Sequence, residues 1–425
     1  MLFKYIKVKT KGQIEGEKLL VPKLRFKEFK DEWKEISLIN VFTFYNTNSL
    51  SRADLSEEGL IKNIHYGDIH QKFNNILDVN KEKLPYIKSD IKVNIHNEEN
   101  YCQDGDLILA DASEDYDGIG KAVEVINVGN NKIVSGLHTI LARDTNKVMS
   151  LGFKGYLFNI PLIHNQIRVL ANGFKVYGIS KNNIYDIDVR IPTKTEQEKI
   201  TNFLILLDKK IDLQQRRIEA LKIYKKGLLY KTFIKCCANC KIKDLLILGK
   251  SGGTPKSTNA DYYDGNIPFL SITDMTSQGK YIKQTEKHIS NLGLENSSAW
   301  LLPVNTLILS MYASYGLVSI NKISLSTSQA MFNMIFKENI NVEYIYYYLN
   351  YLKETHFYEE LVSTGTQSNL NADKVKNIPI YLPNKTEQTR ISSLFNVLDN
   401  KIELQESNLN SLIMLKKSLL QQMFI

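Results

Sequence analysis

A stretch of 44 residues occurs twice in this chain, and that repetition limits the fold before any other feature is weighed. Residues 191–234, IPTKTEQEKITNFLILLDKKIDLQQRRIEALKIYKKGLLYKTFI, and 382–425, LPNKTEQTRISSLFNVLDNKIELQESNLNSLIMLKKSLLQQMFI, align without a gap at an offset of 191, with 19 of 44 positions identical. The period is far too long for a solenoid, so one module has been used twice. Each copy reads as a long helix. Pro192 and Pro383 stand just before it, and Thr195 and Thr386 read as N-caps, Thr195 with Glu198 at capping-box spacing. Only Gly227 interrupts the helical pattern.

Within each copy the apolar positions step by four and three. The seam is Ile200, Leu204, Leu207, Ile211, Gln214, Ile218, Leu221, Lys225 and Leu228 in the first, and Ile391, Phe395, Leu398, Ile402, Gln405, Leu409, Leu412, Lys416 and Leu419 in the second. Such a run over about four heptads is the signature of a coiled coil. Glutamine and lysine interrupt both seams at the same two places, which is expected if the seams face each other and register is being fixed. The alternative is two separate amphipathic helices, each packed on its own domain. A helix from Thr195 to Phe233 has 39 residues and spans about 58 Å. The next segment begins near Lys241, so the second helix must come back to pair, and the pair is expected to run antiparallel. The expectation is a rod with a globular domain at each end, related by a pseudo-two-fold axis.

The expected fold class is therefore α+β: two mixed α/β domains, 21–190 and 235–381, separated by two long helices, 191–234 and 382–425, forming an antiparallel coiled coil, after an N-terminal extension, 1–20. Both domain segments hold short β-like runs broken by Gly, Asn, Asp and Ser. Leu107-Ile108-Leu109 and Leu307-Ile308-Leu309 recur after a turn, and a glycine-bearing polar loop precedes each helix, but the two domains otherwise differ greatly in sequence. Alike helices joining unlike domains suggest a common frame with two separate specificities.

Composition excludes more than it identifies. With 425 residues, more than one core is expected. The net charge of +8 suits an anionic partner without naming one, and the most basic element is the first helix, with 9 basic and 5 acidic residues over 195–234. Residues 1–20 lack the apolar core of a secretory leader. The longest uncharged stretch, 296–321, holds Pro303, Asn305 and Gly316, which suits strands and turns better than a membrane span. Four cysteines give no disulfide framework, so a cytoplasmic location is expected. Cys237 and Cys240 form a CxxC beside Cys236, which reads either as half a zinc site lacking its second pair or as a reduced hinge. No GxxxxGK[ST], no HExxH and no NPPY-like methyltransferase motif is present, so catalysis by this chain is not expected.

Motif order adds a resemblance. VPKLRFKEFKDEWKEISL (21–38) looks like the lead-in to a recognition domain, GGTPKSTNADYYDGNIPFLSITDM (252–275) like the opening of one, and GTQSNLN (365–371) followed by IPIYLPNKTEQ like its closing loop and helix start. Together with the twin helices these resemble the specificity (S) subunits of type I restriction–modification enzymes over nearly the whole chain. The first domain departs from the pattern, with FKVYGISKNN (174–183) in place of the GTQSNLN loop. The resemblance implies two target-recognition domains, each reading one half of a split double-stranded DNA target through the major groove, with the helices as a ruler. It implies two modification (methyltransferase) subunits as partners and restriction (translocase/nuclease) subunits joined through them. The complex would be a type I restriction endonuclease and adenine-specific DNA methyltransferase. S-adenosylmethionine, ATP and Mg would belong to those partners, with no cofactor and no metal on this chain.

Lys, Ser, Thr, Asn, Gln and Tyr on loops can bond phosphates and base edges. The candidates are Arg52, His65, Tyr66, Lys72, Lys175, Tyr177 and Lys181 in the first domain. In the second they are Lys256, Ser257, Thr258, Tyr262, Thr273, Tyr315, Gln367, Ser368 and Asn369. For each, an ordinary solvated turn residue is the competing reading. The acidic run Glu98, Glu99, Asp104, Asp106, Asp111, Glu114, Asp115 and Asp117 is expected to face away from phosphate or to supply an acceptor for a cytosine amino group. A competing function is a coiled-coil scaffold whose terminal domains bind proteins.

Overall fold

The computed structural model describes residues 6–8, 21–91, 97–173, 175–234, 237–312, 314–362 and 370–425. The chain divides into two compact units, residues 1–213 with 409–425 and residues 214–408, so that each unit takes part of both long helices.

The first unit is built on a five-stranded sheet in the order Phe42–Tyr45, Thr139–Asp144, Leu107–Ala110, Ala122–Ile126, Ile76–Asp78. Only the last pair is parallel. The run Leu107-Ile108-Leu109-Ala110 is apolar at every position because the sheet is covered on both faces. Leu107 and Leu109 pack with Ile140, Ala142, Phe153 and Tyr156 on the helical side. Ile108 and Ala110 pack with Leu141, Val123, Ile64 and Ile69 on the other. That other layer contains a second sheet in the order Lys132–Ser135, Ile61–Ile64, Tyr86–Ile87, Leu55–Ser56. Residues Ile6–Val8 add a short antiparallel partner to Leu24–Phe26.

The second unit repeats the plan with almost none of the same residues. Its sheet runs Leu246–Ser251, Met331–Phe336, Leu307–Ser310, Val318–Asn321, Tyr281–Ile282, again with only the last pair parallel. Leu307, Leu309, Phe332 and Met334 meet Tyr344 and Tyr347 on one face, while Ile308 and Met331 meet Leu270, Met275 and Leu302 on the other. The smaller sheet is Lys287–Ile289, Tyr263–Leu270, Ser326–Thr327. In each unit a two-stranded ribbon leads towards the long helix: Lys34–Ser37 with Asp188–Ile191, and Cys240–Lys241 with Pro379–Ile380.

The long helices are Lys194–Phe233 and Lys385–Met423. They begin one residue before Thr195 and Thr386, which therefore lie inside the first turn, and the expected Thr195–Glu198 capping box does not form. Asn384 caps the second helix, its side-chain oxygen accepting the Glu387 amide at 2.9 Å. The helices start early because Gln197 and Gln388 fold back on the prolines. Gln197 Nε2 donates to the Pro192 carbonyl at 3.0 Å while its Oε1 accepts the Ser150 amide at 2.7 Å. Gln388 does the same with Pro383 at 2.9 Å and Asn341 at 2.8 Å. Both glutamines are buried and bonded through Nε2 and Oε1, which ties the start of each helix to its own domain.

The helices pair antiparallel inside each unit. In the second unit Lys225 pairs with Asp399, Lys222 with Glu406, and Gln214 Nε2 donates to Gln405 Oε1 at 3.1 Å and to its carbonyl at 2.9 Å. In the first, Ile200, Leu204 and Leu207 share a core with Leu419, Met423 and Phe424, and Lys416 reaches Asp208 at 2.6 Å. Ile200, Leu204, Leu207, Ile218, Ile391, Phe395, Leu398, Ile402, Gln405 and Leu419 are buried. Ile211, Gln214, Leu221, Lys225, Leu228, Leu409, Leu412 and Lys416 are half-buried. The seam lysines are satisfied by the aspartates, and the seam glutamines by each other, which is how polar groups become tolerable in such a position.

The same grip recurs at the domain side. Tyr156 donates to Asp208 at 2.8 Å and Tyr347 donates to Asp399 at 2.6 Å, residue numbers again 191 apart. Burial, with the aspartate beside each, pushes both phenols far up, so each stays a donor. Phe424 packs on Phe153 with ring centroids 5.7 Å apart, and Phe233 packs on Tyr344 at the same 5.7 Å. Among the described residues no helix is long and apolar enough to cross a membrane, and no group of three or more His, Cys, Asp or Glu is arranged to hold a metal ion. Cys240 lies in its ribbon strand with the thiol 3.6 Å from the Ile380 carbonyl, burial raising its pKa, while Cys237 is exposed and Cys236 lies outside the described residues.

Candidate nucleic-acid interface

A short helix follows the central strand of the smaller sheet in each unit: Tyr66–Gln71 after Ile61–Ile64, and Ile272–Gln278 after Tyr263–Leu270. The two helices share a buried acid one turn in, Asp68 and Asp274. In the first unit this acid gathers cations. Arg52 holds Asp68 through both terminal nitrogens at 2.8 and 2.9 Å, and Lys72 reaches it at 2.8 Å. Burial works to raise the Asp68 pKa, but the hydrogen bonds from Arg52 and Lys72 outweigh it and hold the carboxyl below its usual range. Arg52 and Lys72 remain at least half-exposed, so their outer faces are open to a phosphate.

His65 caps the same helix, its Nδ1 accepting the Gly67 amide at 3.1 Å. It is buried, and burial, then the Arg52 charge, lower its pKa, so the ring is neutral with its proton on Nε2. Its ring lies 4.7 Å from that of Tyr66, which is half-buried. Tyr177 belongs to the strand Tyr177–Gly178, paired with Ala112–Ser113, and the Ala112 carbonyl lies 3.2 Å from His70 Nε2. The structure thus gathers Arg52, His65, Tyr66 and Lys72 around one short helix, His65 at its start and Lys72 at its end, with Tyr177 on an adjoining strand. Lys175 is exposed in the loop before that strand. Lys181 stands apart on the helix Lys181–Tyr185, its ammonium 3.5 Å from the Tyr45 carbonyl.

The second-unit candidates are more dispersed. Thr273 is exposed in the first turn of Ile272–Gln278. Lys256, Ser257 and Thr258 are exposed in the turn before Ala260–Tyr262, which ends in the half-buried Tyr262. Tyr315 is partly buried against the unit's core, which gives its ring a structural duty. Gln367, Ser368 and Asn369 lie outside the described residues.

The acidic run is divided: Glu98, Glu99, Asp104, Glu114, Asp115 and Asp117 are exposed, while Asp106 and Asp111 are drawn into the fold. Asp106 is buried and clamped by Arg143 through two bonds of 2.7 Å, and Asp104 accepts the Val128 amide at 2.8 Å. Asp111 faces His138, with His138 Nδ1 3.4 Å from its carboxylate, and burial pushes the Asp111 pKa up. Sequence reasoning did not select Asp68, His70 or His138. A histidine in a Gly136-Leu137-His138 turn between two β-like runs was the available signal, and it is a weak one.

Residues 237–414 match the family described as the type I restriction modification DNA specificity domain. The chain is 28% identical over 164 residues to the type I restriction enzyme MjaIX specificity subunit of Methanocaldococcus jannaschii, which is 38% of each chain. It is 31% identical over 171 residues to the HindI specificity subunit of Haemophilus influenzae, 38% of this chain and 37% of that one. The matched stretches thus span well under half the length of these relatives. Among solved structures, the S subunit of a type I restriction-modification system from M. genitalium aligns over 95% of this chain and 99% of its own, at 14% identity and a TM-score of 0.55. A chain of a type I R-M system, solved for its complex assembly and conformational transition, aligns over 92% and 97% at 14% identity and a TM-score of 0.57. At that identity the likeness is one of fold.

Proposed function

We propose, from the premise that residues 237–414 make this chain a member of the type I restriction–modification DNA specificity family, that it is the non-catalytic DNA-reading subunit of such a complex. Each unit would read one half of a bipartite double-stranded target. Two methyltransferase subunits and, through them, translocase/nuclease subunits would act where this chain binds. S-adenosylmethionine, ATP and Mg would be used by those partners, in the cytoplasm.

One observation carries this reading: the two units repeat one fold and one helix clamp with residue numbers 191 apart, yet carry unlike surfaces at the equivalent short helix. A scaffold for two copies of one partner would have no reason to keep the frame and change the face. In the first unit Arg52 and Lys72 would hold phosphates, positioning the protein, while Tyr66, Tyr177, Lys175 and Lys181 would lie along the groove. In the second, Lys256, Ser257, Thr258, Tyr262, Thr273 and the 367–369 loop would serve, the loop by the motif it shares with the family.

The test is to map methylated adenines across the genome in cells with and without this gene. A bipartite motif that disappears with the gene is the expected result. Methylation that is unchanged, together with recovery of protein partners that bind no DNA, would favour the scaffold.

A further inference from the structure

Three of the seven histidines in the chain gather around Tyr66. Their rings lie at 4.7 Å (His65), 5.4 Å (His138) and 6.1 Å (His70) from the tyrosine ring, the last two edge-on. Two of them are occupied by folding. His65 caps the helix through Nδ1, and His70 donates through Nε2 to the Ala112 carbonyl. His138 has no such duty. Its side chain is 50% exposed, and among the described residues its polar contact is Nδ1 with Asp111.

The backbone is set to present it. His138 ends the turn between Lys132–Ser135 and Thr139–Asp144 with φ of +54°, a left-handed conformation that glycine or asparagine would adopt at less cost. The turn is tied from beneath: the Thr139 hydroxyl donates to the Gly136 carbonyl and lies 2.7 Å from the Ser135 hydroxyl. The His138 carbonyl accepts the Asp111 amide at 3.1 Å, so main chain and side chain grip the same residue. A strained, side-chain-bearing residue held this firmly, with its ring half out, is a common mark of a functional position.

Resting on the DNA-reading role proposed above, we propose that His138 reads a guanine edge in the first half-target, with Asp111 and Tyr66 as positioning residues. Nδ1–H is committed to Asp111, which orients the ring. In the doubly protonated ring Nε2–H is a second donor, free to meet guanine O6 or N7 in the major groove. Tyr66, packed edge to face against the ring, prevents it from swinging away. The second unit has no carboxylate at this place: Met311 follows the strand Leu307–Ser310 as Asp111 follows Leu107–Ala110. The two half-targets would accordingly be read by different chemistry.

The experiment uses cells carrying the partner genes, with this gene replaced by His138→Gly or His138→Ala, and reads the methylated motif genome-wide alongside the melting temperature of the purified complex. His138→Gly removes the ring and relieves the left-handed backbone, so it should melt no lower than the parent. The expected result is loss of discrimination at one guanine-containing position of the first half, by ~10-fold or more, with the second half unchanged. Asp111→Asn, which keeps an acceptor for Nδ1–H, should retain part of the preference that Asp111→Ala loses. An unchanged motif in His138→Gly overturns the inference. So does uniform loss of methylation in a complex that still melts normally, since that would make His138 a general contact. If the unsubstituted gene directs no bipartite methylation, it is the underlying function that fails first.

Discussion

The two units answer one structural demand in two ways at the start of the short helix that follows the central strand of the smaller sheet. Asp68 in the first is buried beneath two cations, Arg52 and Lys72, that reach it from solvent. Asp274 in the second is equally buried but takes its bonds from the protein itself: the Ser271 amide and hydroxyl at 2.9 and 2.6 Å and the Glu286 amide at 3.1 Å. The acid at this place serves the fold in both units. What stands above it is free to vary, and in the first unit it is a cluster of positive charge and histidine. By contrast, the helix clamp varies hardly at all: glutamine to proline carbonyl, tyrosine to aspartate to lysine, and a terminal phenylalanine against an aromatic ring, all in duplicate.

The comparison can be broken most forcefully at the clamp. Phe233→Ala and Phe424→Ala each empty a buried aromatic site, and each should cost about 3–5 kcal/mol in a denaturant titration. If one of the two were nearly silent, the clamps would not be equivalent. A smaller effect separates the two acids. The Asp68 pKa is lowered in the folded protein, so its pairing stabilises the fold above the unfolded carboxylate value of roughly 4 and is lost as pH falls through the folded value. Asp68→Asn should therefore cost about 1 kcal/mol at pH 7 and less at an acid pH below the unfolded value. Comparing melts at the two pH values checks this, and an equal cost at both would refute the ion-pair account. Smallest of all, Gly227 sits in the first long helix with open space where a Cβ would go, whereas the second helix has Ser418 at that place. Gly227→Ala should raise stability by about 0.5–1 kcal/mol, and a loss instead would reveal a close approach at that face.

The helices were legible in the sequence because heptad spacing is a local signal that survives divergence: every seam position from Ile200 to Leu228 and from Ile391 to Leu419 is at least half-buried. The starts were misplaced by a residue because Gln197 and Gln388, not the threonines, set where the helix begins. The shared sheet was visible only at Leu107–Leu109 and Leu307–Leu309, the central strands, where burial on both faces forces an apolar run. Tyr156 and Tyr347 also keep the 191 spacing, but their neighbours are so unlike that the correspondence emerges only from their aspartate partners. At the surface, loop chemistry named Arg52, Tyr66 and Lys72 singly and the fold brings them together around one short helix, while His138 and Asp111 meet across 26 residues of intervening chain and leave no spacing to read.

The most direct test of two unlike readers on one duplicated frame is to exchange residues 252–381 for the corresponding segment of another specificity subunit and to map adenine methylation in cells that carry the partner genes. The account predicts a new motif in which one half is replaced and the other is kept base for base. A change in both halves, or in neither, would contradict it.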